Sequence, residues 1–154
     1  MSLSIIHQDI TQLSVDAIVN AANTELLAGG GVCGAIFNGA GYDTMTEACR
    51  PLAPIKTGEA VMTPGFNLLA KNVIHAVDPI YSQYTPEEAK ELLITAYHSS
   101  LQLAVDYQLK SIAFPLISSG IYGYPIEAAY QVAVETIEGF LTEYDLDVYL
   151  VLFP

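Results

Sequence analysis

The sequence predicts an α/β domain of three layers, in which one sheet lies between helices. Short β-rich runs alternate with longer stretches of helical spacing, and several of the short runs are apolar on both faces. Runs of that kind are typical of a sheet that is covered on both sides. The 154 residues have the length of one ordinary domain, and no repeat or charge block divides them. We therefore expect a single domain over residues 1–154.

The strand candidates share short length and a high content of valine and isoleucine, which favours a pleated sheet. They are Leu3–His7, Ala17–Asn20, Ala60–Thr63, Val73–Val77, Ser111–Leu116 and Asp147–Phe153.

The clearest helix begins near Thr85, which is a favourable N-cap residue. Pro86 occupies the first helical position and Glu88 completes a capping box. Apolar residues then recur at helical spacing and predict one buried stripe. They are Leu93, Ala96, Tyr97, Leu101 and Ala104.

A second long helix is expected from about Pro125 to Leu141, and shorter helices over Val32–Gly39 and Asp43–Cys49. The inward face of the second long helix is predicted from its apolar spacing. It comprises Ile126, Tyr130, Ala133, Val134, Ile137, Phe140 and Leu141.

The composition argues against broad electrostatic binding to DNA, RNA or anionic membranes. Lys and Arg number 5 and Asp and Glu number 17, which gives a net charge of −12, whereas such surfaces need basic patches. A phosphorylated small molecule remains compatible, because backbone N–H groups bind phosphate without a cationic side chain.

The remaining composition indicates a cytoplasmic protein without a metal or cofactor. The first residues, MSLSIIHQDI, lack the pattern of a signal peptide, and no apolar run has the length of a membrane-spanning helix. Cys33 and Cys49 are too few for a disulfide framework or a zinc site, so we expect reduced thiols. The three histidines are scattered along the chain, so they do not predict a metal site.

Two glycine-containing loops stand where predicted strands lead into predicted helices. The first contains Gly29–Gly31 and the second is the run Ser118–Pro125. The first N–H groups of a helix favour an anion, and glycine lets the backbone approach a ligand closely. Either loop alone is compatible with an ordinary tight turn. Both together favour a ligand with an internal diphosphate, held between the loops.

The chain resembles the macro domain family of ADP-ribose-binding modules. The resemblance rests on several motifs in order along nearly the whole chain, among them VDAIVNAAN (15–23), GGGVCGAI (29–36), NVIHAVDP (72–79) and SIAFPLISSGIYGYP (111–125). Within the family, the chain most resembles the branch that includes bacterial O-acetyl-ADP-ribose deacetylases and mono-ADP-ribosyl hydrolases. The resemblance implies a six-stranded mixed sheet between helices.

The resemblance also implies which residues bind the adenine. Asp9 accepts a hydrogen bond from the adenine amino group and the amide of Ile10 binds the same ring. Phe153, at the end of the last strand, stacks on it. An acceptor and an aromatic face are what an adenine pocket needs.

The same resemblance assigns backbone and small residues to the rest of the ligand. The diphosphate is wrapped by the amides of Ser119, Gly120, Ile121 and Tyr122, with Val32 on its other side. The distal ribose is surrounded by Asn23, Gly29, Gly30 and Gly31, and Tyr124 closes over it.

The chain departs from the hydrolase branch at two positions. That branch has an aspartate, proposed to orient or activate water, and a histidine four residues later, where this chain has Cys33 and Phe37. Asn23 and Cys33 are the candidate catalytic residues, although a thiol cannot act as a carboxylate.

Three functions therefore stay open. The chain binds ADP-ribose or an ADP-ribosylated protein without catalysis, or it hydrolyses ADP-ribosyl-protein or O-acetyl-ADP-ribose esters. The third function, a nucleic-acid-binding module, is opposed by the net charge.

Overall fold

A computed structural model of the chain describes residues 2–120 and 122–152. The expectations for Ile121 and Phe153 fall outside these residues. The strands are β1 (Ser2–His7), β2 (Ala17–Ala22), β3 (Ala60–Pro64), β4 (Asn72–Val77), β5 (Ser111–Pro115) and β6 (Asp147–Leu152). The α-helices are α1 (Gly31–Ala40), α2 (Tyr42–Cys49), α3 (Pro86–Asp106) and α4 (Ile126–Leu141). Every predicted strand and helix is confirmed within the described residues, with bounds that shift by one or two positions.

The strands form one mixed sheet in the order β1-β6-β5-β2-β4-β3. Neighbours from β1 to β4 are parallel, and β3 alone runs antiparallel to β4. The five parallel strands therefore end at the same side of the sheet, which we call the carboxyl edge. Ligands of open α/β sheets bind outside this edge.

Apolar residues of the sheet alternate between two cores, which confirms the three-layer architecture. Ala17 and Val19 of β2 pack in the core beneath α3 and α4, whereas Ile18 packs in the core beneath α1 and α2. This alternation follows from the two-residue period of a strand, and both faces of β2 are buried because helices cover both.

Helix α3 begins as its capping signals predict. The Glu88 amide donates to Thr85 Oγ1 at 3.2 Å, and the Thr85 amide donates to Glu88 Oε1 at 3.0 Å, so the capping box is complete. The whole predicted apolar stripe of this helix is buried.

The inward face of α4 differs from the prediction at its first turn. Ile126 is 66% exposed, because it begins the helix at the carboxyl edge and borders an open groove there. Tyr130 and Val134 are only partly buried, while Ala129 and Val132 are buried. The inward face therefore differs from the predicted one at these positions, whereas Ala133, Ile137, Phe140 and Leu141 are buried as expected.

Over the residues described, no helix combines the length and the hydropathy that crossing a bilayer requires.

Candidate functional site

The segments with the predicted site residues follow parallel strands and meet at the carboxyl edge. Strands β2 and β5 are adjacent, with Ala17 paired to Ile112, so the loops that follow them are neighbours. Asp9 follows β1, which lies two strands from β5. The arrangement places the two glycine loops together and Asp9 to one side of them.

The first glycine loop, residues 23–31, is braced by the side chain of Asn23. Its Nδ2 donates to the Leu27 carbonyl at 2.9 Å, and its Oδ1 accepts from the Leu27 amide at 3.0 Å. The buried Cys33 thiol donates to the same Leu27 carbonyl at 3.7 Å. The structure thus brings both candidate catalytic residues to one point, where they hold the loop. The expected contact of Asn23 with the distal ribose stays a prediction.

Close packing explains Gly34 and backbone conformation explains Gly31, both at the start of α1. A Cβ on Gly34 would lie 2.6 Å from the Gly29 carbonyl oxygen, so a side chain there would displace the backbone of the loop. Gly31 has φ +58°, a conformation that other residues rarely adopt. No acceptor in the described residues takes the amides of Gly31 and Val32, as expected for the first turn of a helix.

The second glycine loop, residues 118–124, is closed by its own backbone. The Tyr124 amide donates to the Ser118 carbonyl at 2.8 Å, and the Gly123 amide donates to the Gly120 carbonyl at 3.0 Å. The amides of Ser119, Gly120 and Tyr122 find no acceptor among residues 2–120 and 122–152. These three amides are therefore available to an anion.

The two tyrosines of the second loop have different environments. Tyr122 is partly buried, and the pKa of its hydroxyl is raised by burial and then by the charges of Asp78 and Cys33. Tyr124 is 4% exposed, and its ring packs edge-on against Tyr81 with centroids 4.8 Å apart. The expected contact of Tyr124 with the distal ribose stays a prediction, and the edge-on packing against Tyr81 fixes the position of its ring.

At the β1 side of the edge, Asp9 uses one carboxylate oxygen to cap a short 3₁₀ turn. Its Oδ1 accepts from the Thr11 amide at 3.0 Å and from Thr11 Oγ1 at 2.7 Å. Within the described residues, Oδ2 has no partner and the Ile10 amide has no acceptor. The predicted acceptor and donor for a base are therefore both available.

An open, mainly apolar groove of about 540 Å³ borders the same side of the edge. Its lining residues come from the ends of β1 and β6, the segment after β5 and the start of α4. They are His7, Leu116, Ile126, Glu127, Tyr130, Gln131 and Leu152. The groove gives this part of the edge an apolar wall on which an aromatic ring can pack.

A buried polar network lies behind the first loop. Asn20 Nδ2 is 3.1 Å from His75 Nδ1, and His75 Nε2 is 3.0 Å from Thr63 Oγ1. Cys49 Sγ is 3.8 Å from the same Nε2. Burial lowers the pKa of His75 to about 4, so the ring is neutral. His75 is thus a buried core histidine, and both of its ring nitrogens have polar neighbours.

Sequence reasoning missed Asp78, which directly follows β4. Asp78 is 3% exposed, and burial raises its pKa to about 7, although the backbone amides of Asp78 and Ser118 act to lower it. The sequence signal is weak, because an aspartate before a proline is usually a turn residue.

In the part of the chain that the structure describes, no group of three or more His, Cys, Asp or Glu side chains is arranged to hold a metal ion.

Comparisons with known proteins agree on one family. The family model "Macro domain" matches residues 19–133. An O-acetyl-ADP-ribose deacetylase of Salmonella gallinarum is 50% identical over 157 aligned positions, which cover 98% of this chain and 87% of the relative.

Two solved structures have the same fold. A macrodomain variant of Oceanobacillus iheyensis with ADPR superimposes with a TM-score of 0.94 at 43% identity, over 99% of this chain and 85% of the other. A macrodomain of Trypanosoma brucei in complex with ADP-ribose gives a TM-score of 0.86 at 37% identity, over 97% and 63% of the two chains.

Proposed function

Because the chain belongs to the macro domain family, we propose that it binds ADP-ribose or an ADP-ribosyl group at the carboxyl edge of its sheet. The observation that carries the proposal is the set of unpaired amides in two loops on adjacent strands. Ser119, Gly120 and Tyr122 contribute amides from one side, and Gly31 and Val32 contribute them from the other. The related macrodomain in complex with ADP-ribose supports the identity of the ligand.

In this arrangement the diphosphate lies between the two glycine loops. Backbone donors and the N-terminus of α1 neutralise its charge, so the ligand binds without a cationic side chain. The adenine lies toward β1, where Asp9 Oδ2 accepts from its amino group and the Ile10 amide donates to the ring. Phe153 remains the proposed stacking residue. The distal ribose lies at Gly29–Gly31.

Calorimetric titration with ADP-ribose tests this proposal, and Gly120 offers a matched pair of variants. A Cβ at Gly120 meets no atom within 4 Å, and its backbone does not need glycine. Gly120→Glu adds bulk and a negative charge beside the diphosphate, whereas Gly120→Gln adds nearly the same bulk without charge. We expect the glutamate variant to bind at least about tenfold more weakly than the glutamine variant, which corresponds to roughly 1.4 kcal/mol.

Absence of heat with the unmodified chain at millimolar ADP-ribose would contradict the proposal. Equal affinity of the two Gly120 variants would contradict the position assigned to the diphosphate.

A second candidate function is hydrolysis of ADP-ribosyl-protein or O-acetyl-ADP-ribose esters. It is favoured by 50% identity to the Salmonella deacetylase. Asn23 and Cys33 lie beside the proposed ribose position, and both contact Leu27. Neither is a carboxylate, so the reaction on this chain would depend on water held by the loop and the ligand. The proposed partner is an ADP-ribosylated protein. The proposed compartment is the cytoplasm, where thiols stay reduced, and both cysteines of this chain are free and buried.

Replacement of Cys33 tests whether a missing carboxylate limits hydrolysis. We expect Cys33→Asp to raise the rate of acetate release from O-acetyl-ADP-ribose by a factor on the order of 10². Cys33→Asn is the matched control, because it has the same shape and no charge, and we expect it to give no increase. Equal rates for the two variants would refute the carboxylate explanation.

A further inference from the structure

The segment that follows β4 supports the second glycine loop from below. Ser118 Oγ donates to the Pro79 carbonyl at 2.6 Å, and the Tyr81 amide donates to the Tyr122 carbonyl at 2.9 Å. The ring of Tyr81 packs against Tyr124. These contacts join the segment to the beginning, the middle and the end of the loop, so its position sets the direction of the loop amides.

Asp78 is the first residue of this segment and the least accessible carboxyl group near the site. It is 3% exposed, and its Oδ1 has no hydrogen-bond partner among the described residues. The backbone amide of Ser118, where the loop starts, lowers the pKa of Asp78 and so partly offsets the effect of burial. Ser118 has φ +71°, a strained conformation for a residue with a side chain. Asp78 therefore precedes the residue, Pro79, whose carbonyl holds the start of the loop through Ser118 Oγ.

The side chains that interact electrostatically with Asp78 are tyrosines, which carry no positive charge. Tyr97, from α3, is fully buried, and its hydroxyl has no partner within the described residues. The pKa values of Tyr97 and Tyr122 are both raised, first by burial and then by the charge of Asp78. Cys33 of α1 acts in turn on Tyr122. The described ion pairs involve only Arg50 and Lys71, neither of which reaches Asp78.

We infer that Asp78 is a positioning residue that couples its own protonation to anion binding by the second glycine loop. The neutral carboxyl group supports the loop without repelling a diphosphate, whereas the carboxylate places an uncompensated charge directly beneath it. This inference rests on the proposed function, since the anion is the diphosphate of ADP-ribose. Asp78 does not touch the ligand, because its carboxyl group is enclosed.

The inference predicts a pH dependence of affinity that the ligand itself cannot cause. The diphosphate of ADP-ribose is a diester and keeps its two charges between pH 6 and pH 8. With a pKa of about 7, the neutral fraction of Asp78 falls across this range from about nine-tenths to about one-tenth. If only the neutral form binds well, the dissociation constant rises about tenfold between pH 6 and pH 8.

The experiment is calorimetric titration of the unmodified chain and of Asp78→Asn with ADP-ribose, from pH 5.5 to pH 8.5. Asparagine has the shape of the neutral carboxyl group and retains an acceptor for the Ser118 amide. We expect Asp78→Asn to bind at pH 8 as tightly as at pH 6, whereas the unmodified chain loses about tenfold. A purely structural role would change affinity equally at every pH.

A second measurement does not depend on the variant. By reciprocal linkage, saturation with ADP-ribose must raise the pKa of Asp78, which a carbon-13 NMR titration of its carboxyl group measures. An unchanged pKa would overturn the inference. So would an affinity of the unmodified chain that does not vary with pH, or an equal pH dependence in Asp78→Asn, and both results would leave the proposed function intact. Absence of binding at every pH would overturn both.

Discussion

Asp9 has two carboxylate oxygens, and the fold uses only one of them. Oδ1 holds the turn that begins at Ile10 through its bonds with Thr11, while Oδ2 accepts from no described residue. The division separates a structural role from a binding role within one side chain. A substitution that keeps one oxygen and replaces the other can therefore change ligand selectivity without loss of the turn.

We predict that Asp9→Asn changes the base preference of the site. Its Oδ1 still caps the turn, but an NH₂ group replaces the free acceptor and faces the adenine amino group. The affinity for ADP-ribose should fall by ~1–3 kcal/mol because a polar group is left unpaired. The affinity for the inosine analogue, which presents a carbonyl at that position, should rise relative to ADP-ribose. Parallel titrations with the two ligands measure this, and an unchanged ratio of affinities would refute the adenine role of Asp9.

At the same scale, the sequence was informative about residue type and uninformative about side-chain contacts. Asp9 was recognisable through the family resemblance, which assigns a carboxylate at this position to the adenine. The bracing of Leu27 by Asn23 and Cys33, and the burial of Tyr124, depend on how loops fold back on themselves. No local pattern encodes these contacts.

Among the elements, β2, β3, β4 and α2 are joined by the polar network around His75. Asn20 and His75 are direct neighbours in the parallel pair of β2 and β4, Thr63 comes from β3, and Cys49 ends α2. A neutral histidine can satisfy one donor and one acceptor here, whereas a protonated ring would be a buried charge without a carboxylate partner.

This network predicts that stability falls in mild acid. The pKa of His75 is about 4 in the folded chain and about 6.5 when unfolded. The unfolded chain therefore binds more protons between these values, so the contribution is complete above pH 6.5 and is lost as the pH falls toward 4. It amounts to about 3 kcal/mol.

Asp78 acts in the opposite direction, because its raised pKa removes stability as the pH rises from about 4 to about 7. The two contributions can be separated by comparing unfolding free energies of the unmodified chain and His75→Gln, since the Asp78 contribution is common to both. We expect the difference between them to shrink by about 3 kcal/mol from pH 7 to pH 4. An NMR titration in which the His75 ring protonates near pH 6.5 would contradict this prediction.

The elements themselves were largely predictable from local signals. The capping box of α3 and its apolar stripe are encoded within a few positions, and the strands are short apolar runs between turns. The face of α4 was misassigned at Ile126 because periodicity does not tell where a helix leaves the sheet it covers. The order of the strands depends on pairings between distant segments and does not follow from any local pattern.

Over the whole molecule, an anionic ligand is proposed for a chain of net charge −12. The site resolves this by using backbone dipoles, which act over short distances, while the surface charge acts over longer distances and is screened by salt. A change in ionic strength therefore distinguishes the contribution of the backbone dipoles to the affinity from that of the surface charge.

We predict that salt does not weaken ADP-ribose binding. Raising NaCl from about 0.05 M to about 0.5 M shortens the range of the surface repulsion, so the affinity should stay constant or increase. A nucleic-acid-binding module behaves in the opposite way, because it releases counterions and loses affinity steeply with salt. Retention of single-stranded RNA at low salt, lost at high salt, would favour that alternative and count against the site described above.

The pairing of β1 with β6 has a consequence for synthesis on the ribosome. β1 is the first strand of the chain, yet its register partners run from Asp147 to Leu152, and it has no other neighbour in the sheet. β1 therefore cannot form this pairing until residues 147–152 have been translated. The strands that lead into both glycine loops, β2 and β5, and their neighbour β4 are translated earlier. The part of the carboxyl edge proposed to bind the diphosphate can therefore form before the part that contains Asp9.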